Sequence, residues 1–113
     1  DKACPFAHLA RDFEFFGAPA AFFCLIEKTM GPPQWSDLGM FLQTFMLLAQ
    51  EAGIDTCAQE AWATRPNAVA SFLQTPDSLM LFCGMAIGYR DPNAPVNTLV
   101  SDRTPLETWA TWA

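Results

Sequence analysis

From Trp35 to Trp62 the sequence reads WSDLGMFLQTFMLLAQEAGIDTCAQEAW, a long apolar helix feeding a short strand, and no other stretch limits the fold as much. Leu38, Phe41, Leu42, Phe45, Leu48, Ala49 and Ala52 fall at i, i+3, i+4, i+7, i+10, i+11 and i+14. That is the repeat of one helical face, so these side chains are expected in the core. The other side carries Gly39, Met40, Met46 and Leu47 with few polar residues between them, which predicts a helix covered on most sides. Ser36 reads as the N-cap, Asp37 as the acid of the first turn, and Gly53 followed by Ile54 as the C-terminal cap.

Around this helix the pattern predicts strands and short helices. Phe6, Leu9, Phe13 and Phe16 recur at helical spacing up to Gly17, as a helix end or a covering loop. Residues 18–27, APAAFFCLIE, form an apolar run of strand length that suits burial on both faces, and 28–34, with Gly31, Pro32 and Pro33, reads as a loop. Residues 54–59 form a short strand. Thr64 then caps a short helix with Pro66 in its first turn and Val69, Phe72 and Leu73 on one side. After a turn at 75–77, SLMLFCGMAIGY (78–89) is the second buried strand, its Gly84 and Gly88 marking a bulge or the close approach of another group. RDPNAPVN is turn-rich. In the tail Thr104, Pro105 and Glu107 spell a capping box ahead of Leu106, Trp109 and Trp112. Strand, helix, strand, helix, strand is the order of an α/β or α+β layer fold with helices on both faces of the sheet, more helices than this chain supplies.

Composition decides what such a layer can bind. Hydrophobic residues make up 51% of the 113 and charged residues only 16%, too few charges to cover the surface, so a partner subunit or further polypeptide is expected. A net charge of −6 with six Lys and Arg excludes a basic nucleic-acid stripe and disfavours anionic membranes. No run reaches the roughly 18 apolar residues of a membrane span, and DKACPF at the start has no signal-peptide layout, which reads as a soluble, cytoplasmic chain beginning within a longer protein. Of the four cysteines, Cys24, Cys57 and Cys83 lie in apolar strand-like runs and read as buried reduced thiols. With no CxxC, and only Cys4 near His8, no metal site is expected. One histidine and the absence of GxSxG, Walker, HExxH and GxGxxG patterns leave no standard catalytic or Rossmann constellation.

Taken together, FEFFGAPAAFF, the WSDLGMFLQ helix, GIDTCAQEAW and FCGMAIGYRDPNAPVN resemble the nitroreductase family over nearly the whole chain, and specifically its C-terminal half. The resemblance implies an α+β, three-layer sandwich with a central sheet flanked by helices, of which residues 1–113 form a single partial domain. It also implies an intimate homodimer with FMN at the interface, NAD(P)H as electron donor, and a nitroaromatic, quinone or similar electron-poor small molecule as acceptor. The segment matching Gln59, Glu60 and Ala61 runs past the flavin in that family, its backbone donating to N5. A fixed amide donor there suits hydride chemistry because it needs no reorganisation. Arg103, with Ser101 beside it, matches basic residues that help hold the FMN phosphate. Val100 and Ser101 stand where related chains carry further Arg or Lys, and Ala58 stands where many have proline. The Arg and Ser cluster that grips phosphate and ribityl chain in the N-terminal half has no counterpart here. Trp35 and Phe41 are candidates for a substrate pocket over the flavin, and no side chain is expected to act as catalytic acid or base.

Apart from the resemblance, Arg103 reads as a surface arginine, Glu60 as an exposed strand-end carboxylate, and Trp35 and Phe41 as core or interface packing. The rival to the enzyme reading is a half-domain that acts as a structural or oligomerisation module and holds no flavin.

Overall fold

A computed structural model describes residues 5–112, with side chains from Leu9 onward; Cys4 and the side chains of Phe6 and His8 lie outside that description. The elements follow in order as α1 (Pro5–Asp12), a 3-10 turn (Phe15–Gly17), β1 (Ala20–Glu27), α2 (Pro32–Glu51), β2 (Asp55–Gln59), a second 3-10 turn (Glu60–Thr64), α3 (Pro66–Leu73), β3 (Leu79–Gly88), a third 3-10 turn (Pro95–Thr98) and α4 (Leu106–Trp109). This is an α+β layer, as the element order predicts. The sheet has three strands in the order β1-β3-β2, with β3 antiparallel to both neighbours.

β3 is central because it is the most continuously apolar strand and carries no proline, so it can pair on both edges and be covered on both faces. Phe23 and Gln59 both sit opposite Gly84, one from each side. The ladder slips between Cys24 and Leu25, so the irregularity lies opposite Phe82 rather than at a glycine. β1, predicted buried on both faces, is an edge strand instead, with only Cys24 and Ile26 fully buried.

On one face α2 packs against Cys24, Cys83 and Met85 through Leu42, with Leu38, Phe45 and Met46 half-buried around it. Phe22 meets Phe45 edge to face at 5.1 Å. The buried stripe is therefore i, i+4, i+7, i+8, narrower than the sequence suggests and turned toward Met46. Phe41, Leu48 and Ala52, predicted as core, are exposed, as are Met40 and Leu47. The sheet is too narrow to cover more of the helix, so α2 is covered on one side only by the described residues. On the opposite face lie the first and second 3-10 turns and α3, whose Val69 is buried while Phe72 is exposed.

The helix ends show where local chemistry was misjudged. α2 begins at Pro32 with Gly31 as N-cap, not at Ser36: the two prolines take first-turn positions where a missing N–H costs nothing, and Gln34 N–H donates to Gly31 O at 3.1 Å. At the other end Gly53 has φ +76°, Ile54 N–H donates to Ala49 O (2.9 Å) and Gly53 N–H to Gln50 O (3.0 Å), the Schellman pattern predicted. Thr64 caps no helix; its hydroxyl donates to Ala61 O at 2.7 Å and Arg65 stands at the N-cap of α3. Nor does Thr104 form a capping box, because α4 is a single turn with Pro105 at its N-cap.

Arg90 ties the end of β3 to the start of β2. Its Nε donates to Asp55 Oδ1 at 2.7 Å, its backbone N–H to Asp55 Oδ2 at 2.9 Å, and its Nη2 to both Asp55 Oδ1 and Gln50 Oε1. The side-chain hydrogen bond from Arg90 holds the Asp55 carboxyl below its ordinary value of 3.8. Its contribution is therefore full above that value and is lost as the pH falls through the lower folded-state pKa. Asp55→Asn is expected to melt lower than the parent at neutral pH, with the gap closing below about pH 4. Thermal melts from pH 7 to 2.5 check this; a gap that stays constant with pH contradicts it.

Candidate functional site

The chain leaving β2 turns at once into the 3-10 turn Glu60–Thr64, which lies on β3. Gln59, the last strand residue, is 3% exposed. Its Nε2 donates to Asp12 O (2.9 Å) and Asp12 Oδ1 (3.3 Å) at the end of α1, while its Oε1 is buried without a partner among the described residues. Glu60 is exposed and Ala61 half-buried. As the opening residues of a 3-10 turn, their N–H groups have no partner within that turn.

Trp62, in the same turn, is boxed by aromatic rings. It stacks on Phe15 (4.8 Å, 27°) and meets Phe13 (5.2 Å, 88°) and Phe23 (4.9 Å, 85°) edge to face. Such pairs contribute about 0.5–1.5 kcal/mol each beyond area burial. The floor of the box is Gly84: a Cβ there would lie 2.5 Å from Trp62 Cδ1 and 3.1 Å from Phe15 Cε1. Arg65 covers Phe13 at 5.5 Å. Gly88 is likewise a close approach, its would-be Cβ 2.8 Å from Pro19 Cδ. Both glycines admit side chains of this chain.

The remaining candidates sit elsewhere. Arg103 Nη1 donates to the Ser101 hydroxyl and carbonyl and to Asp102 O, all exposed, and no hydrogen bond among the described residues joins this tail to Gln59–Ala61. Trp35 and Phe41 are exposed on α2, across the sheet from Trp62; Phe41 borders a groove of about 380 Å³ with Leu25, Glu27, Gln34, Asp37 and Leu79, and Trp35 does not. The structure thus gathers Gln59, Glu60 and Ala61 into one turn and leaves Ser101–Arg103 and Trp35–Phe41 apart from it.

Cys24 and Cys83 face each other across the ladder, both buried and free, and burial first, then the neighbouring thiol, pushes Cys83 up to about 12. Cys57, expected to be buried, is exposed on the edge strand β2. Among the described residues no three His, Cys, Asp or Glu side chains group as a metal site, and no helix is long and apolar enough to cross a membrane. Sequence reasoning marked Gly84 as a bulge or a close approach, and it is the close approach, but it missed Asp12 and Trp62. The available signal was a glycine in mid-strand, which leaves room that some large side chain must fill.

Comparison with known proteins agrees with this architecture. Residues 5–89 match the Nitroreductase family. The chain is 42% identical over 96 residues to a 4-nitrobenzoate reductase of Pseudomonas putida, covering 85% of this chain and 41% of that protein. It is 31% identical over 105 residues to a chloronitrobenzene nitroreductase of Comamonas testosteroni, covering 93% and 46% respectively. It therefore spans less than half the length of these relatives. Among solved structures, the FMN- and NADPH-dependent nitroreductase NfnB of Sphigopyxis sp. strain HMH superposes with a TM-score of 0.93 at 42% identity, over 100% of this chain and 51% of that one. The NfnB of Mycobacterium smegmatis shares the fold, with a TM-score of 0.89 at 24% identity. A matching family signature over most of the chain and a superposable α+β layer lead to one conclusion: this chain belongs to the nitroreductase family.

Proposed function

We propose that the protein carrying this chain is an FMN-dependent NAD(P)H oxidoreductase that reduces nitroaromatic, quinone or similar electron-poor acceptors. The observation that carries the reading is the turn after β2, where Glu60 and Ala61 offer backbone N–H groups without a partner inside the turn, held at one end by Gln59 on Asp12 and at the other by the boxed Trp62. The nitroreductases named above support the chemistry, as enzymes described as FMN- and NADPH-dependent or as acting on nitroaromatics.

The residues present fit a flavin. Glu60 and Ala61 would donate to its ring, and Arg103, a guanidinium that among the described residues bonds to Ser101 and Asp102, would meet its phosphate with Ser101 beside it. When bound, FMN supplies the hydride relay between NAD(P)H and acceptor. The chain's own part is to bind, orient and exclude water; no side chain at the turn needs to move a proton. Trp35 and Phe41 lie across the sheet from the turn, so a pocket using both sets draws on two copies, in keeping with a homodimer whose flavin sits at the interface. The exposed α2 face, with Met40, Phe41, Leu47 and Leu48, leaves apolar area for a second copy and for the complementary half of the fold. The free thiols of Cys24, Cys57 and Cys83 suit a reducing, cytoplasmic setting.

The phosphate role of Arg103 separates FMN from riboflavin. Arg103→Ala is expected to weaken FMN binding by roughly ten- to a hundredfold, the loss of a charged hydrogen bond, and to leave riboflavin binding unchanged. Titration of both flavins against intrinsic fluorescence checks it. Equal losses for the two would remove Arg103 from the phosphate site.

The half-domain reading shares the family assignment and differs in the cofactor. It requires a protein that retains no flavin.

A further inference from the structure

We propose that Trp62 is a positioning residue for the cofactor-facing turn and that Gly84 is the notch that admits it, an inference that rests on the flavoenzyme reading above. Trp62 is two residues from Glu60 in the same 3-10 turn, so wherever its ring is fixed, the Glu60 and Ala61 N–H groups are fixed too. The ring is fixed on the central strand. It lies against Gly84, where any side chain would place a carbon 2.5 Å from Cδ1, and Phe13, Phe15 and Phe23 close the other sides. Gln59, opposite Gly84 in the ladder, pins the near end of the turn to Asp12.

The indole Nε1 is buried without a hydrogen-bond partner among the described residues. What holds the ring among these residues is its shape against Gly84 and the three phenylalanines. Two consequences follow for substitution. A methyl group on Gly84 must displace the ring and with it the turn. Phenylalanine at Trp62 keeps Cγ and Cδ carbons where the indole Cγ and Cδ1 lie, whereas alanine removes both, so the methyl group on Gly84 should cost little further once Trp62 is alanine.

The test compares wild type, Gly84→Ala, Trp62→Ala and the double variant in the FMN-loaded protein, reading FMN affinity, the flavin midpoint potential and the melting temperature. Gly84→Ala is expected to weaken FMN binding by about tenfold, the loss of one well-aligned hydrogen bond, and to shift the potential. Trp62→Ala should weaken FMN binding at least as far, and the double variant should bind FMN no more weakly than Trp62→Ala alone, because without the indole the methyl group has lost its 2.5 Å neighbour; losses that add would overturn the proposal. A Gly84→Ala protein that melts lower but keeps wild-type affinity and potential would overturn the proposal, since a purely structural notch behaves that way. If Gly84→Ala does not fold, the double variant decides: a folded double variant with the FMN affinity of Trp62→Ala upholds the notch, and one that does not fold or binds more weakly than Trp62→Ala overturns it. A wild-type protein that binds no FMN overturns the flavoenzyme reading itself, an outcome distinct from any difference among the variants.

Discussion

Met85→Ala is expected to lower the unfolding free energy by about 2–5 kcal/mol, the range for emptying a buried Leu, Ile or Met site. Met85 has 0% exposure and lies on central β3, in the core cluster with Cys24, Cys83 and Leu42 of α2. A void there cannot be filled by water, because its walls are apolar, nor by collapse, because the strand is pinned by ladders on both edges. Against a domain stability on the order of 5–15 kcal/mol, the loss is a large share. Urea denaturation of Met85→Ala beside Met85→Leu measures it. The leucine variant should cost less than about 1.5 kcal/mol, because volume is nearly conserved. An alanine variant within about 0.5 kcal/mol of the parent would show that α2 is not packed on the sheet as described.

Trp62→Ala should cost about 3 kcal/mol, since it dissolves the ring contacts with Phe13, Phe15 and Phe23 together. The expected loss sits at the low end of large-to-alanine values because Trp62 is only half-buried and its indole donor has no partner among the described residues. Its signature differs from that of Met85→Ala. Both variants lose stability, but only Trp62→Ala frees the turn bearing Glu60 and Ala61, so only it should lose FMN affinity beyond the fraction unfolded. The measurement is flavin binding at a temperature where both variants remain folded by circular dichroism. Parallel losses in the two variants would argue that the turn is held by the general stability of the layer.

How much of this was legible in the sequence depends on the range of the interaction concerned. The strands at 20–27 and 79–88 are apolar runs bounded by turn residues, and the Gly53–Ile54 end of α2, from which the short strand 55–59 starts, is written in local chemistry. The start of α2 was misread because Pro32 and Pro33 look like loop breakers until they are placed in a first turn, where they suit a helix. Periodicity marked α2 as amphipathic but could not say how wide a sheet would receive it. With three strands only Leu42 is fully covered, and Phe41 and Leu48 remain outside. The turn at Gln59–Ala61 was found by family resemblance. Its supports, Asp12 through Gln59 and Gly84 under Trp62, are contacts across 47 and 22 positions of chain; a mid-strand glycine announces a close approach, but no local pattern names the partner. The same holds for the Asp55–Arg90 pair that joins two strand ends.

The measurement that bears most directly on the whole account is the visible absorbance spectrum of the protein carrying this chain, taken after incubation with FMN and desalting, then after NADPH, then after a nitroaromatic acceptor. The account predicts retained flavin absorbance that bleaches with NADPH and returns when the acceptor is added, in a species with the mass of a dimer. A protein that comes through desalting without flavin contradicts the oxidoreductase reading and leaves the half-domain one standing.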